Sequence, residues 1–311
     1  MIISPYGTKS KGPFVQRKDF LSFLKARSIV RRMGFKNTNQ YRVWNATTKP
    51  EGVPSNPNLT YRDRGWISFG NWLGTKNLYH QRKYSVNDNF FKTWSSNMAY
   101  VLGFWFADGC IAKHGRRYRF SISQNLRDKV LMRNILKVMG ATYHLVPSRK
   151  LNSINILISS EEICSDILRL GGKMRKSLDV KWPKIPSRYL PDFVRGFFDG
   201  DGCIFQDKRG KGAFAIDIVC GSKNFIEGLE AAIRKSIPDI GKQPSKRGGF
   251  YVKKRKRRYW DLYMRGANIM KFGEYIYRGF KQDILAMPRK RDMFLIHKER
   301  INASNKRRHT F

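Results

Sequence analysis

The sequence predicts an α+β fold built from two similar halves, preceded by a small basic segment. Three observations carry this. A segment occurs twice, YVLGFWFADGCI at residues 100–111 and FVRGFFDGDGCI at 193–204. Each copy is followed by alternating apolar and polar residues over strand lengths, then by helical periodicity. The 311 residues also carry 62 Lys and Arg against 23 Asp and Glu, a formal charge of +39. A folded chain with that much self-repulsion calls for a polyanionic partner. With 41% hydrophobic and 14% aromatic residues, it can still build a real core. The longest apolar stretch, 98–107, is too short to cross a bilayer. The four cysteines, Cys110, Cys164, Cys203 and Cys220, form no C-x-x-C pair, against a zinc ribbon or a disulfide framework. Membrane, secreted and zinc-finger readings fall away.

Residues 1 to about 90 form a basic accessory segment with 16 Lys and Arg against 4 Asp and Glu. A basic helical stretch over 18–33 leads into a Pro-, Asn- and Gly-rich run, then into GWISFGNWLGTKN. There Trp66, Phe69, Trp72 and Leu73 suit a mini-core of their own. The surrounding charge suggests an auxiliary DNA-binding module. GWISFGNWLGT resembles a short repeat of some phage and viral nuclease and integrase-like proteins.

The first repeat spans 91–187. Its signature helix is followed by RYRFSISQ (117–124), with Tyr118, Phe120 and Ile122 facing inward and Arg117, Arg119, Ser121 and Ser123 outward. A helix over 128–138, the strand SINILIS (153–159) and a helix opening EEICSDILRL complete it. The second repeat spans 188–300, with strand AFAIDIV (213–219), a helix over 224–235, strand RYWDLYMR (258–265) and helix ANIMKFGEYIY. Each half reads helix-strand-strand-helix-strand-strand-helix. Residues 301–311 read as a basic tail.

Within each signature, Gly103 and Ala107, and Gly196 and Gly200, lie four apart and share a helical face. Small residues there let two helix backbones approach closely. Each helix ends in Asp-Gly, placing Asp108 and Asp201 where the helix end already carries partial negative charge. Side by side, the helices would bring both carboxylates and their carbonyl-rich ends to one point, which needs a cation. Oxygen ligands indicate Mg²⁺ or a similar hard ion such as Mn²⁺. A divalent ion beside a phosphodiester is the setting for metal-assisted hydrolysis. The scattered histidines and the absence of a phosphate-binding glycine loop support no other chemistry.

VLGFWFADG and VRGFFDGDG resemble the two signatures of a monomeric LAGLIDADG homing endonuclease, a likeness covering about residues 95–295. It implies two pseudo-symmetric αββαββα subdomains with the signature helices at their interface and antiparallel saddles over the DNA major groove. It also implies hydrolysis of both strands of a specific double-stranded site, leaving short 3′ overhangs. Asp108 and Asp201 are then the metal ligands, with any carbonyl ligand near Ala107 unassigned. The first signature has Phe106 where the second has the acid Asp199. The resemblance further implies a polar group near the attacking water, Gln124 in the first half with Ser222 its candidate counterpart. It also implies a basic residue near each scissile phosphate, selecting Lys176 and Lys290. Physically, these lysines would stabilise transition-state charge or help activate water.

Base readout is expected from outward strand faces: Arg117, Arg119, Ser121 and Ser123, then Asp217, Asp261, Tyr263 and Arg265. The run at 241–258 holds nine Lys and Arg and no acid. Its Lys253, Lys254, Arg255, Arg257 and Arg258 are expected to contact phosphates rather than bases. Two readings stay open beside the nuclease: an RNA-binding maturase that helps its intron splice, and a DNA-binding regulator that does not cut.

Overall fold

The computed structural model describes residues 20–309 except 63, 76–83, 115–116, 149–150, 175, 177, 208–212, 243–248 and 256–257. The chain divides into two compact units between residues 83 and 84. The first unit contains α1 (Phe23–Arg32), α2 (Thr38–Thr47) and two short helices, α3 (Pro57–Thr60) and α4 (Phe69–Leu73). Ser22, Asn37 and Ser68 cap α1, α2 and α4 through side-chain oxygens, which fixes where each helix starts. The aromatics do form a separate core: Phe23, Tyr61 and Trp72 pack within 5.5–5.8 Å of one another. Arg31 donates to the Asn71 carbonyl and Arg27 to the Asn71 side chain, tying α1 to α4.

The second unit repeats one topology. Its first half runs α5 (Ser96–Asp108), β1 (Gly109–His114), β2 (Arg117–Asn125), α6 (Lys129–Val138), β3 (Val146–Pro147), β4 (Ser153–Ser159) and α7 (Glu161–Arg169). Its second half runs α8 (Leu190–Asp201), β5 (Gly202–Asp207), β6 (Ala213–Cys220), α9 (Lys223–Ser236), β7 (Phe250–Lys254), β8 (Trp260–Arg265) and α10 (Ala267–Ile276). Each half forms an antiparallel four-stranded sheet, ordered β1-β2-β4-β3 and β5-β6-β8-β7. The inner faces carry Phe120, Ile122, Ile154, Ile156 and Ile158, and Phe214, Ile216, Ile218, Leu262 and Met264, all buried. Tyr118 departs from the expected alternation. It is 40% exposed, near the hairpin end of β2, where it pairs with Lys113.

Two boundaries differ from the sequence reading. Residues 85 and 87 bond to the backbone at 142 and 139, so the strip before α5 packs with the first repeat. The supposed tail from 301 continues α11 (Pro288–His309), a helix additional to the repeat. Among the described residues no helix is long and apolar enough to cross a membrane.

Candidate active site

The site is built by the crossing of α5 and α8. Helix α5 is buried all round from Met98 to Phe106, which is only possible for a helix enclosed by other elements. A Cβ on Gly103 would lie 2.0 Å from the Phe193 carbonyl oxygen, and one on Gly196 2.0 Å from that of Tyr100. At the far end, a Cβ on Gly200 would come within 2.3 Å of the Ala107 Cβ and 2.9 Å of the Asp108 Oδ2. Backbones meet because no side chain stands between them. The carboxylates that end the helices are thereby brought together, as the spacing predicts.

Their electrostatics follow from burial. The Asp201 carboxyl is pushed up to about 7, first by desolvation and then by Asp108, although Lys176 and Lys290 pull it back. Burial also raises Asp108, opposed by both lysines and by the Gln124 hydrogen bond. Two largely buried acids thus lie close enough for the charge of Asp108 to raise Asp201 further. The Gln124 Nε2 donates to Asp108 Oδ2 at 2.5 Å, so this residue reaches the site.

The lysines also converge here, in a configuration different from the expected one. Lys176 Nζ donates to the Phe106 and Ala107 carbonyls at 2.7 and 2.8 Å. Lys290 lies in the first turn of α11 and donates to the carbonyls of Phe198, Asp199, Gly200 and Gly202 at 2.5–3.3 Å. Each buried ammonium closes the negative end of one signature helix, where unpaired carbonyls would otherwise be left. Desolvation lowers both, Lys290 to about 8. Beside it, Arg289 forms a two-point ion pair with Asp128 at 3.0 and 3.1 Å, joining the second half to the first. Arg127, Arg289, Lys290, Gly200 and Cys203 line a cavity of about 300 Å³ next to the end of α8.

The two halves diverge in the surrounding polar groups. The hydroxyl of Ser222 is engaged elsewhere: it is buried, donates to the Val180 carbonyl at 2.6 Å and caps α9. Strand register identifies the true positional counterpart of Gln124. Gly109 pairs with Ile122 and Gly202 with Ile218, so Gln124 corresponds to Cys220. That thiol is buried and pushed up to about 11 by desolvation, hence neutral. Aligning FSISQ with IDIVC on their shared Ile would have found it. Asp199, the acid opposite Phe106, accepts from Tyr100, Tyr277 and the Met287 amide at 2.7–3.2 Å. It is fully buried and serves the packing of α8.

On the outer sheet faces, Ser121 donates to the Cys110 carbonyl, Arg119 is half-buried and Ser123 is exposed. The side chain of Arg117 and the whole of Arg257 lie outside the described residues. In the second half Asp217 and Asp261 are buried and share Arg255, whereas Lys253, Lys254 and Arg258 are exposed. Lys253 and Arg265 sit 4.4 and 6.0 Å over the Tyr263 ring.

No curated protein sequence matches the chain. Solved structures do. Mesophilic variants of the homing endonuclease I-DmoI are 16% identical, covering 60% of this chain and 97% of theirs at a TM-score of 0.41. The I-LtrWI LAGLIDADG homing endonuclease bound to target DNA is 16% identical over 70% and 92%, at 0.42. The LAGLIDADG meganuclease I-AabMI bound to uncleaved DNA is 11% identical over 66% and 91%, at 0.45. The family model described as a LAGLIDADG-like domain matches residues 190–277, from the start of α8 to the end of α10. The second half of the repeat is therefore similar to a LAGLIDADG-like domain.

Proposed function

We propose that this protein is a site-specific endonuclease that cuts double-stranded DNA with a divalent cation, Mg²⁺ or Mn²⁺, and acts as a monomer. Its role would be homing, the cutting of an allele that lacks the element encoding it. The observation that carries the proposal is the convergence of Asp108 and Asp201 at the glycine-lined ends of α5 and α8, with Asp201 held at about 7 by burial and by its partner. Such a pair is poorly stable unless a cation neutralises it. Among the described residues no third His, Cys, Asp or Glu joins it. The rest of the coordination shell would be water and DNA phosphate oxygen, as suits Mg²⁺, which keeps waters and binds through one or two carboxylates plus phosphates.

A bound cation would supply charge stabilisation at the phosphodiester and a more acidic water. The chain's own residues hold this centre in place. Lys176 and Lys290 neutralise the two helix ends, so the carboxylates need not compete with bare carbonyls for the cation. Gln124 fixes the rotamer of Asp108 from the sheet side. Arg127, which lines the cavity, would attract the DNA backbone, with Arg289 held beside it by Asp128. The outer faces of the two sheets, with the basic residues of β7 and its turn, would lie against the major groove.

The test is incubation of the purified protein with a plasmid in which its own gene's flanking sequences are joined without the insert. It is run with Mg²⁺, with EDTA, and with Asp108→Asn and Asp201→Asn variants. A discrete linear product that needs Mg²⁺ and both acids is expected. Tight, sequence-specific binding without any cut would sink the nuclease and leave a regulator. Selective binding of intron RNA alone would leave a maturase.

A further inference from the structure

The second sheet carries a charged cluster that the first lacks among the described residues. Asp217 on β6 and Asp261 on β8 lie on its outer face, between the core residues Ile216, Ile218 and Leu262. Because Asp217 pairs with Tyr263 and Val219 with Asp261, the two acids are diagonal neighbours across adjacent strands. Like charges so placed repel. Arg255, just past β7, reaches back over them: its backbone amide bonds to the Tyr259 carbonyl, extending the β7–β8 hairpin. Its Nε donates to Asp261 Oδ2 at 2.5 Å, and its Nη2 donates to Asp217 Oδ2.

One guanidinium cannot satisfy two carboxylates. The far oxygens, Asp217 Oδ1 and Asp261 Oδ1, are buried without a hydrogen-bond partner. Lys253 is close to Asp261, but only at 3.9 Å. The cluster therefore leaves acceptor capacity unfilled, a poor arrangement if its task were only to stabilise the sheet. What it does achieve is geometric. Of the five N–H groups in the guanidinium, the edge formed by Nε and one Nη2 hydrogen is taken by the acids. The opposite edge, Nη1 with the second Nη2 hydrogen, is left as a parallel pair of donors. The Arg255 side chain is 45% exposed, and among the described residues the hydrogen bonds it donates run from Nε and Nη2 alone.

Two parallel donors on a fixed planar fork match the O6 and N7 acceptors of guanine in the major groove. A phosphate contact needs no such fixing, because a mobile arginine or lysine neutralises phosphate as well. We propose that Arg255 reads a guanine of the target site, with Asp217 and Asp261 as positioning residues that hold its fork. This reassigns Arg255 from the phosphate-contacting run in which its sequence placed it. It rests on the reading that the second sheet faces DNA.

The experiment selects binding sites from a fully randomised duplex library with the full-length protein in EDTA, so that nothing is cut. Wild type is compared with Arg255→Lys, which keeps a cation over the acids but removes the fork, and with Asp217→Asn. Wild type should yield a motif containing a guanine preferred about 10- to 100-fold over other bases, the discrimination of one good bidentate pair. Arg255→Lys should abolish the preference at that position alone. Asp217→Asn should weaken it at the same position, which a purely structural role would not do. An unchanged motif, with affinity lowered equally on every sequence and a salt slope smaller by about one, would make Arg255 a phosphate contact and overturn the proposal. If wild type selects no motif at all, the site-specific reading itself fails and the proposal falls with it.

Discussion

The two halves of the repeat share a skeleton and differ in what is attached to it. Both have a signature helix thinned by glycine, an Asp at its end, a following strand that begins at Gly, and a buried lysine closing the helix terminus. Around that frame the first half has Phe106, Gln124 and a neutral outer face at Ser121 and Ser123. The second has Asp199, Cys220 and the charged group of Asp217, Asp261 and Arg255. Backbone approach and charge neutralisation at the helix ends tolerate little variation, so they are the same twice. In the proposed endonuclease the polar groups around them would each serve one DNA strand or one half-site, which leaves them free to diverge.

The largest effect should come from the shared frame. Asp108→Asn and Asp201→Asn should each lower cleavage about 10³-fold or more in a plasmid-linearisation assay, since either loss dissolves the cation site. Equal residual activity in both would show that the halves contribute alike there. Next come the crossing glycines. Gly196→Ala forces a Cβ against the Tyr100 carbonyl, with no flexible side chain to give way. It should destabilise the unit by about 3 kcal/mol or more, at the upper end of overpacking costs, read by urea unfolding. Gly103→Ala should match it, because the contact is reciprocal.

The lysines sharpen the comparison. Lys290→Met strips the ammonium from four carbonyls and Lys176→Met from two, so both should slow cleavage and Lys290→Met should destabilise more. Leaving buried acceptors unpaired costs about 1–3 kcal/mol, and urea unfolding would rank the two variants. The smallest effect is the one most specific to a half. Gln124→Ala should slow cutting of one strand by roughly tenfold and spare the other, since its counterpart is a thiol. Strand-labelled duplex reports this as accumulation of a single nicked species; equal slowing of both strands would make Gln124 a structural residue.

Much of this was legible in the sequence, for identifiable reasons. The repeat, the two Asp positions and the inward faces of β2 and β6 follow from spacing alone, because helix and strand periods are fixed by backbone geometry. Lys176 and Lys290 could be selected but not given their task. Nothing in an Arg-Lys pair says that its ammonium turns back onto carbonyls some 70 to 92 residues away. Ser222 was misplaced because a serine before a helix is first of all a cap. Cys220 was missed because a thiol does not advertise itself as the counterpart of an amide. Arg255 was hidden in a basic run whose members look alike until tertiary structure places one of them over two acids.

The central claim is that the α5–α8 junction is a carboxylate pair awaiting a cation, and it can be tested without knowing the DNA target. Thermal unfolding of the metal-free protein would be compared with that of Asp201→Asn at pH 8, then repeated with excess Mg²⁺ or Mn²⁺. The folded-state value of Asp201, about 7, lies above its ordinary range. Its ionisation therefore opposes folding, an opposition absent below about pH 4 and complete above about pH 7. The account predicts that Asp201→Asn melts about 5 °C or more higher at pH 8, as expected for a gain of a few kcal/mol in a unit of this size. The gap should close toward pH 4, and only wild type should gain from added cation. A variant that melts lower than wild type at pH 8, with an undiminished response to Mg²⁺, would contradict it.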